Sequence, residues 1–176
     1  GKRLAFTNGC FDVLHVGHVR YLNEARALGD ALCVAINADA SVSALKGPHR
    51  PVNPVEARAE VLLGLKAVDR VVVFSEKRAT NAIDAIAPHL YAKGGDYTPE
   101  TLDAEERGAL ERVGAEVRIL QLVAGVSTTA TLEKLAKGES RPVRLGVLGS
   151  GKGTTLEGLF AAIDDGWLPN VEVALV

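Results

Sequence analysis

Residues 7–18 have the sequence TNGCFDVLHVGH and join a short apolar strand to an amphipathic helix. The strand begins at Leu4, and the helix is predicted over residues 16–28, where apolar side chains recur every three residues up to Gly29. Backbone N–H groups converge where a buried strand leads into a helix, and such a junction binds anions. We therefore expect the loop Asn8–Phe11 to hold a phosphate group.

Strands and helices alternate through the next part of the chain. The strands are short apolar runs, which are typical of strands buried on both faces of a parallel sheet. This alternation predicts a doubly wound α/β fold, in which ligands bind beyond the carboxyl ends of the strands. The predicted strands are 4–6, 31–36, 71–74, 90–92 and 117–120, and the predicted helices are 16–28, 55–66, 81–87, 100–112 and 130–136.

A polar segment with helix-breaking residues predicts a linker at residues 137–142, so the first domain is expected to cover residues 1–136. Beyond the linker, residues 143–176 show a strand, a glycine loop, a helix and a second strand. This pattern predicts one partial βαβ unit. A unit of this size cannot bury both of its faces, so we expect it to pack on the first domain or on a partner chain.

The composition is that of an ordinary globular protein, since 47% of the residues are hydrophobic and 24% are charged. The net charge of -2 gives no long-range attraction to nucleic acid or to an acidic membrane, so we expect neither as a partner. No apolar run reaches the roughly 20 residues needed to cross a bilayer, and the first residues lack a signal-peptide pattern, which favours the cytoplasm. Cys10 and Cys33 are accordingly expected to be reduced.

Two histidines in the quoted segment are the strongest candidates for chemistry. His15 and His18 lie three residues apart, so both imidazoles are expected on one side of the first helical turn, while Gly17 keeps the backbone open to a ligand. Imidazoles that donate hydrogen bonds to developing oxyanions suit phosphoryl-type transfer, which needs positioning and charge neutralisation. A zinc site with Cys10 is disfavoured, because no further ligands complete a tetrahedral set.

The same segment carries the pattern Gly9-x-Phe11-Asp12-x-x-His15-x-Gly17-His18. This pattern resembles the signature of the cytidylyltransferase-like branch of the nucleotidyltransferase superfamily. The resemblance covers residues 3–136 and is greatest to the adenylyltransferase domain of the bacterial heptose-phosphate enzymes. Further matching segments are Asn37-Ala38-Asp39, Lys46-Gly47, Arg50-Pro51-Val52-Asn53-Pro54, Arg58, Lys93-Gly94-Gly95-Asp96-Tyr97 and Ser127-Thr128-Thr129.

The resemblance implies a Rossmann-like nucleotidyltransferase fold and a specific reaction. In that reaction ATP and the sugar 1-phosphate D-glycero-β-D-manno-heptose 1-phosphate give ADP-heptose and pyrophosphate, a step of ADP-heptose and lipopolysaccharide biosynthesis. Magnesium is implied as the cofactor, because it accompanies NTP chemistry. A homodimer is also implied, since relatives commonly dimerise.

The resemblance further implies three sets of site residues. His15 and His18 stabilise the α-phosphate and the leaving pyrophosphate, and Lys46 neutralises the acceptor phosphate. The nucleotide-binding set comprises Thr7, Asn8, Gly9, Cys10, Phe11, Gly17, Lys93, Gly94, Gly95, Asp96, Ser127, Thr128 and Thr129. The substrate-binding set comprises Asp12, Asn37, Asp39, Arg50 and Arg58.

Several of these residues have alternative interpretations. The Ser127–Thr129 segment can cap the helix that it opens, as well as hold the β and γ phosphates. Lys46 can simply be solvated, and Arg58 can pair with a neighbouring acid on its helix. Gly94–Asp96 can form a tight turn in place of a nucleoside contact, and Asp12 can contact either the substrate or magnesium.

Two other functions stay open at this point. Glycerol-3-phosphate cytidylyltransferases share the first motif but usually carry an arginine shortly before the Ser-Thr-Thr sequence. Residues 122–126 contain no arginine, which favours the heptose branch. A catalytically silent nucleotide-binding module is the second alternative, and the intact His15 and His18 argue against it.

The C-terminal part carries a resemblance of its own. Residues 146–154 resemble the phosphate loop of nucleoside monophosphate kinases, whereas the longer stretch 144–176 resembles the start of a glycinamide ribonucleotide formyltransferase. We favour the longer match. In that family the catalytic Asn, His and Asp follow well after the glycine loop, so we expect no independent activity here. A packing appendage is an equally good interpretation.

Overall fold

The chain divides into two compact units, Gly1–Thr128 and Thr129–Val176. No helix in the described part of the chain is long and apolar enough to cross a membrane. The computed structural model describes residues 1–95, 101–121, 128, 143–146, 154–165 and 171–175.

Strands and helices alternate through the described part of the first unit. The elements are β1 (Leu4–Gly9), α1 (Val16–Ala27), β2 (Ala31–Asn37), α2 (Asp39–Lys46), α3 (Val55–Leu63), β3 (Arg70–Phe74), α4 (Thr80–Ile86), β4 (Leu90–Gly94), α5 (Ala104–Val113) and β5 (Glu116–Leu120). The sequence did not predict helix α2, because only Ser41 and Val42 of this helix are buried and no apolar stripe marks it.

The five strands form one parallel sheet in the order β3-β2-β1-β4-β5, with β1 at its centre. Leu4 of β1 lies opposite Ala31 of β2, and Phe6 of β1 lies opposite Tyr91 of β4. The strand order reverses between β1 and β4, and ligands of such sheets bind outside the carboxyl ends of the strands at this point. The predicted doubly wound α/β fold is confirmed.

Both faces of the sheet are covered by a buried core, which explains why the central strands are mostly apolar, with polar residues only towards their carboxyl ends. Alternate residues of β2 enter opposite cores. Val34 belongs to the core that contains Leu22 of α1, whereas Ala35 belongs to the core that contains Ile83 of α4 and Leu110 of α5. Burying each large aliphatic side chain contributes about 1.5–3 kcal/mol, so the two cores hold α1 and α3 on one face and α4 and α5 on the other.

Capping residues set the helix ends more sharply than the apolar spacing does. The side chain of Asp103 accepts hydrogen bonds from the N–H groups of Glu105 and Glu106, so α5 begins at residue 104 and not at residue 100. Gly114 follows the helix with a φ of 68°, a left-handed conformation that glycine adopts without strain. Gly64 is the C-cap of α3, which therefore ends before the predicted residue 66.

The second unit contains a parallel pair of strands, β6 (Val143–Gly146) and β7 (Val171–Leu175), with helix α6 (Thr154–Asp164) between them in sequence. Val143 lies opposite Val171 in this pair. The predicted helix 130–136, the linker 137–142 and the glycine-loop residues 147–153 lie outside the described residues.

Candidate active site

The loop after β1 brings the two histidines to the start of α1. His15 is the N-cap residue of this helix, and its Nδ1 atom accepts a hydrogen bond from the backbone N–H of His18 at 3.4 Å. The two imidazole rings are stacked, with their centroids 3.8 Å apart and an angle of 20° between their planes. The cap and the first turn of α1 therefore place both side chains at one point beyond the carboxyl end of β1.

Both imidazoles are held in the neutral form. Burial lowers the pKa of His18 to about 4, and the neighbouring His15 adds to the shift. Burial also lowers the pKa of His15. Because Nδ1 of His15 accepts a hydrogen bond, the proton of the neutral ring lies on Nε2, which is then a donor. The pair can thus offer hydrogen bonds to an oxyanion without being charged beforehand.

The aromatic ring of Phe11 packs against the imidazole of His18. The two rings pack with centroids 5.3 Å apart, and the backbone of Phe11 has a φ of 45°, in the left-handed region. A Cβ atom at Gly9 would lie only 3.0 Å from the Phe11 ring, so any larger residue there would have to displace that ring. Nδ1 of His18 is buried and has no hydrogen-bond partner among the described residues. Burial of the His18 ring, to which Phe11 contributes, is the main cause of its low pKa.

Thr128 connects two motifs that are far apart in sequence. Its hydroxyl donates a hydrogen bond to the backbone carbonyl of Val13 at 2.9 Å. Val13 lies in the same loop as His15, so residue 128 lies beside the histidine motif. The other two members of this segment, Ser127 and Thr129, lie outside the described residues.

Asp12 anchors a second loop against the first. Its carboxylate accepts hydrogen bonds from the N–H groups of Val52 at 2.8 Å and Asn53 at 3.0 Å, and it pairs with Nε of Arg50 at 2.5 Å. Burial raises the pKa of Asp12, but the hydrogen bonds from Asn53, Val52 and Arg50 outweigh it and leave the pKa below its ordinary value. With its oxygens occupied in this way, Asp12 holds the loop 50–53 in place.

The buried side chain of Arg58 forms hydrogen bonds to residues at the ends of two strands. Its guanidinium donates to the backbone carbonyls of Cys10 at 2.6 Å, Asn37 at 2.8 Å and Asn53 at 3.0 Å, and it pairs with Asp39 at 2.7 Å. The Arg58 side chain is fully buried, whereas 43% of the Asp39 side chain is exposed. Arg58 therefore ties the carboxyl ends of β1 and β2 together, and its acidic partner comes from α2.

Lys46 and Cys10 lie on the β2 side of the site. Lys46 is the exposed last residue of α2, and its charge acts on Cys10, which lies in the loop after β1. Burial raises the pKa of Cys10 despite the nearby cations, so the thiol stays protonated. Its Sγ atom donates to Oδ1 of Asn37 at 3.7 Å, and Nδ2 of Asn37 donates to Ser41 at 3.0 Å. Asn37 thereby links β2 to α2.

Thr7 and Gly17 lie beneath the site. The hydroxyl of Thr7 is completely buried and lies 2.6 Å from the phenol oxygen of Tyr21, which donates to the carbonyl of Ala92. This network is closed within the core, and burial raises the pKa of Tyr21 to about 12. Gly17 is also buried, in the first turn of α1.

A buried acid that the sequence analysis did not single out lies on the β4 side. Glu106 of α5 is only 4% exposed, and it contacts Asn8 and Lys93, two of the predicted nucleotide-binding residues. A signal for it existed, because Glu106 lies one helical turn before the buried Ala109 and Leu110 and therefore on the inward face of α5.

Two consecutive glycines lie at the carboxyl end of β4. Gly94 is the last residue of the strand, and Gly95 follows with a φ of 120° and an N–H group that donates to the carbonyl of Leu120. This turn lies at the carboxyl end of β4, next to that of β1. Asp96 lies outside the described residues. Within the part of the chain that is described, no group of three or more His, Cys, Asp and Glu side chains could hold a metal ion.

A family model and individual related sequences both match the first part of this chain. A model described as cytidylyltransferase-like matches residues 6–136. The bifunctional protein HldE of Chromohalobacter salexigens is 51% identical over 135 residues, which cover 77% of this chain and 28% of that protein. HldE of Pseudomonas syringae pv. syringae is 52% identical over 134 residues, which cover 76% of this chain and again 28% of the relative. The chain therefore spans less than a third of the length of these curated relatives.

Solved structures give the same result for the fold. The lipopolysaccharide core biosynthesis protein from Thermoplasma volcanium superposes with a TM-score of 0.56 at 28% identity, over 70% of this chain and 98% of that one. TmcAL from Thermotoga maritima, solved with alpha-thio ATP, superposes with a TM-score of 0.58 over 95% of this chain and 57% of that one. Its identity is 15%, so this second likeness concerns the fold alone.

Proposed function

Because the chain belongs to the cytidylyltransferase-like family of nucleotidyltransferases, we propose that it transfers AMP from ATP to a sugar 1-phosphate. The acceptor we propose is D-glycero-β-D-manno-heptose 1-phosphate, which gives ADP-heptose and pyrophosphate. About half of the residues are identical to bifunctional HldE proteins over the matched region, and a structural neighbour is a lipopolysaccharide core biosynthesis protein. Both support an acceptor from that area of carbohydrate metabolism.

One observation carries the proposal: the stacked pair His15 and His18 lies at the carboxyl end of β1, beside Thr128. In the reaction, an oxygen of the acceptor phosphate forms a bond to the α-phosphorus of ATP, and the bond from that phosphorus to the bridging oxygen of pyrophosphate breaks. Negative charge grows on the α-phosphate oxygens and on the leaving group. Neutral imidazoles that donate hydrogen bonds there stabilise this charge more in the transition state than in the ground state.

Some of the other predicted site residues are proposed to contact substrate, and others are proposed to hold the loops of the site. Lys46 is exposed at the end of α2, where an ammonium can meet the phosphate of the acceptor, and the helix predicted from the sequence to follow Ser127–Thr129 would suit the β and γ phosphates. Asp12 and Arg58 instead act on the protein itself, since their polar atoms hold the loops that form the site. Their effect on substrate is therefore indirect.

Magnesium enters this proposal with the nucleotide. The carboxylate of Asp12 is occupied by N–H groups, and the described residues offer no acidic cluster for a metal ion. The phosphate oxygens of ATP would then supply most of the ligands, as is usual for Mg²⁺ in such sites. Bound there, the ion neutralises charge on the triphosphate.

The proposal is tested by pyrophosphate release from ATP, CTP, GTP and UTP, each supplied with heptose 1-phosphate, other sugar 1-phosphates and glycerol 3-phosphate. We expect release only with ATP and heptose 1-phosphate. Release with CTP and glycerol 3-phosphate would replace the proposed reaction by cytidylyl transfer to a polyol phosphate. ATP binding without pyrophosphate release from any pair would show a silent nucleotide-binding module.

A further inference from the structure

Four polar side chains meet behind the loop that follows β1. Nζ of Lys93 lies 3.1 Å from the phenol oxygen of Tyr91 and 3.4 Å from Oε2 of Glu106. The phenol of Tyr91 lies 2.6 Å from Oδ1 of Asn8, and Nδ2 of Asn8 lies 3.2 Å from Oε1 of Glu106. The N–H of Ala79, just before α4, also reaches Oε1 at 3.3 Å.

These contacts form a ring of hydrogen bonds in which Lys93 donates on both sides and Glu106 accepts on both sides. The ammonium of Lys93 donates to Tyr91, and the phenol of Tyr91 donates to Asn8 at 2.6 Å, a shorter contact than the 3.3 Å to Glu106. The amide of Asn8 then donates to Glu106, whose second oxygen accepts from Lys93. Every donor faces an acceptor only while residue 106 is a carboxylate, because both of its oxygens receive hydrogen bonds.

The side chains of the ring differ in how far they are exposed to solvent. Only 5% of the Glu106 side chain is exposed, compared with 19% of the Lys93 side chain. A buried carboxylate requires a compensating charge, so Lys93 is held on this side of the sheet. Asn8 is the residue before Gly9, where β1 gives way to the phosphate-binding loop, and Lys93 lies at the same end of the adjacent strand β4.

We propose that Glu106 is a positioning residue for the nucleotide site, because its carboxylate fixes Lys93 and the Asn8 end of β1 where they contact nucleotide. The inference rests on the proposed function only in assigning nucleotide as the ligand. Glu106 itself does not touch the substrate; it acts from α5 through the two residues that do.

Glu106→Gln is the sharpest test, because it preserves the volume and removes one acceptor. If the new amide nitrogen occupies the Oε1 position it faces the donors of Asn8 and Ala79, and if it occupies the Oε2 position it faces the ammonium of Lys93. Either orientation breaks the ring. Glu105→Gln is the matched control, since Glu105 is exposed on the same helix and the substitution changes net charge equally.

We expect Glu106→Gln to raise the KM for ATP about tenfold, with a smaller change in the KM for the acceptor, while Glu105→Gln matches the wild type. In the Lys93→Met background the same change at residue 106 should add less than about twofold, because coupled residues are not additive. Tyr91→Phe breaks the ring without altering any charge and should raise the KM for ATP in the same direction. It serves as the second variant if Glu106→Gln does not fold.

Calorimetric titration with ATP alone separates this inference from the proposed reaction. Weaker ATP binding by Glu106→Gln supports the inference even if no acceptor supports turnover, an outcome that would overturn only the proposed function. Wild-type KM and affinity in folded Glu106→Gln, or effects of Glu106→Gln and Lys93→Met that multiply independently, would overturn the inference.

Discussion

The imidazole of His15 lies face to face with that of His18, with the ring centroids 3.8 Å apart. Two imidazolium ions at this separation would repel each other strongly, and burial lowers the pKa of both rings. The pair is therefore neutral near pH 7. In the proposed reaction a triphosphate would meet hydrogen-bond donors at this pair, and its negative charge would favour protonation of the rings.

Replacing either histidine with alanine should reduce turnover by about 10²–10³-fold, because each substitution removes a donor aimed at transition-state charge. His89→Ala is the control, since His89 is exposed and lies at the amino-terminal end of β4, away from the site. Steady-state kcat with ATP and heptose 1-phosphate is the measurement, and circular dichroism verifies folding. Near-wild-type kcat in His15→Ala or His18→Ala would rule out the proposed mechanism.

Stability should fall as the pH is lowered from about 6.5 to about 4. In the unfolded chain His18 takes up a proton near its ordinary pKa of 6.5, whereas the folded protein keeps it neutral down to about 4. The unfolded state thus binds more protons in this window, so the free energy of unfolding decreases as the pH decreases.

Urea unfolding at pH 6.5 and at pH 5 gives the free energy of unfolding at the two values. Most carboxyl groups stay ionised over this range, so their contribution to the difference is small. His18→Asn removes the titrating group and should show a shallower decrease than the wild type. An unchanged dependence in His18→Asn would mean that other groups cause the loss.

Asp12→Asn should lower the free energy of unfolding by about 1–3 kcal/mol, because it leaves a buried donor of the loop 50–53 unsatisfied. Asp84→Asn provides the comparison, since Asp84 pairs with Arg112 on the surface and such pairs contribute only about 0–1 kcal/mol. Chemical denaturation of both variants gives the two values. Equal losses would show that the contacts of Asp12 are no stronger than a surface ion pair.

Replacing both Thr128 and Thr129 with valine should raise the KM for ATP more than the KM for the sugar phosphate. The change removes the hydrogen bond from the Thr128 hydroxyl to the Val13 carbonyl and both hydroxyl groups that are proposed to hold the triphosphate. Initial rates with each substrate varied in turn provide the comparison. Equal increases in both constants, or a loss of stability alone, would support a capping role only.

Deleting residues 141–176 should leave nucleotidyl transfer intact, because every residue proposed for the reaction lies between Thr7 and Thr129. The measurement is kcat/KM for a chain of residues 1–140, together with its mass by light scattering. The mass also tests the proposed homodimer. A folded but inactive shortened chain would mean that the second unit completes the active site.

Apolar patterning was sufficient to predict the sheet, since strands buried on both faces must be apolar throughout. The same patterning did not reveal α2, because so few of its residues are buried. It also misplaced the start of α5, because a single side chain, Asp103, satisfies the first N–H groups and decides where the helix begins.

The histidine pair illustrates what local sequence determines. His15 and His18 meet because His15 is the N-cap of α1 and its ring accepts a hydrogen bond from the N–H of His18, an arrangement that depends only on local sequence. By contrast, Asn8 and Glu106 are 98 residues apart, and Thr128 lies 115 residues from Val13. Spacing along the chain carries no information about such pairs.

The sequence by itself therefore determined the parallel sheet, the place of the candidate site at the end of β1 and the pairing of the two histidines. Only the tertiary structure decided which of the polar residues are buried and hydrogen-bonded to distant segments. Arg58 was expected to contact substrate or to pair with an acid on its own helix, and Glu106 was not singled out, yet both side chains are buried and bond to residues of separate strands. The reason is that a buried charge is stable only where distant segments supply its partners, and folding alone brings those segments together.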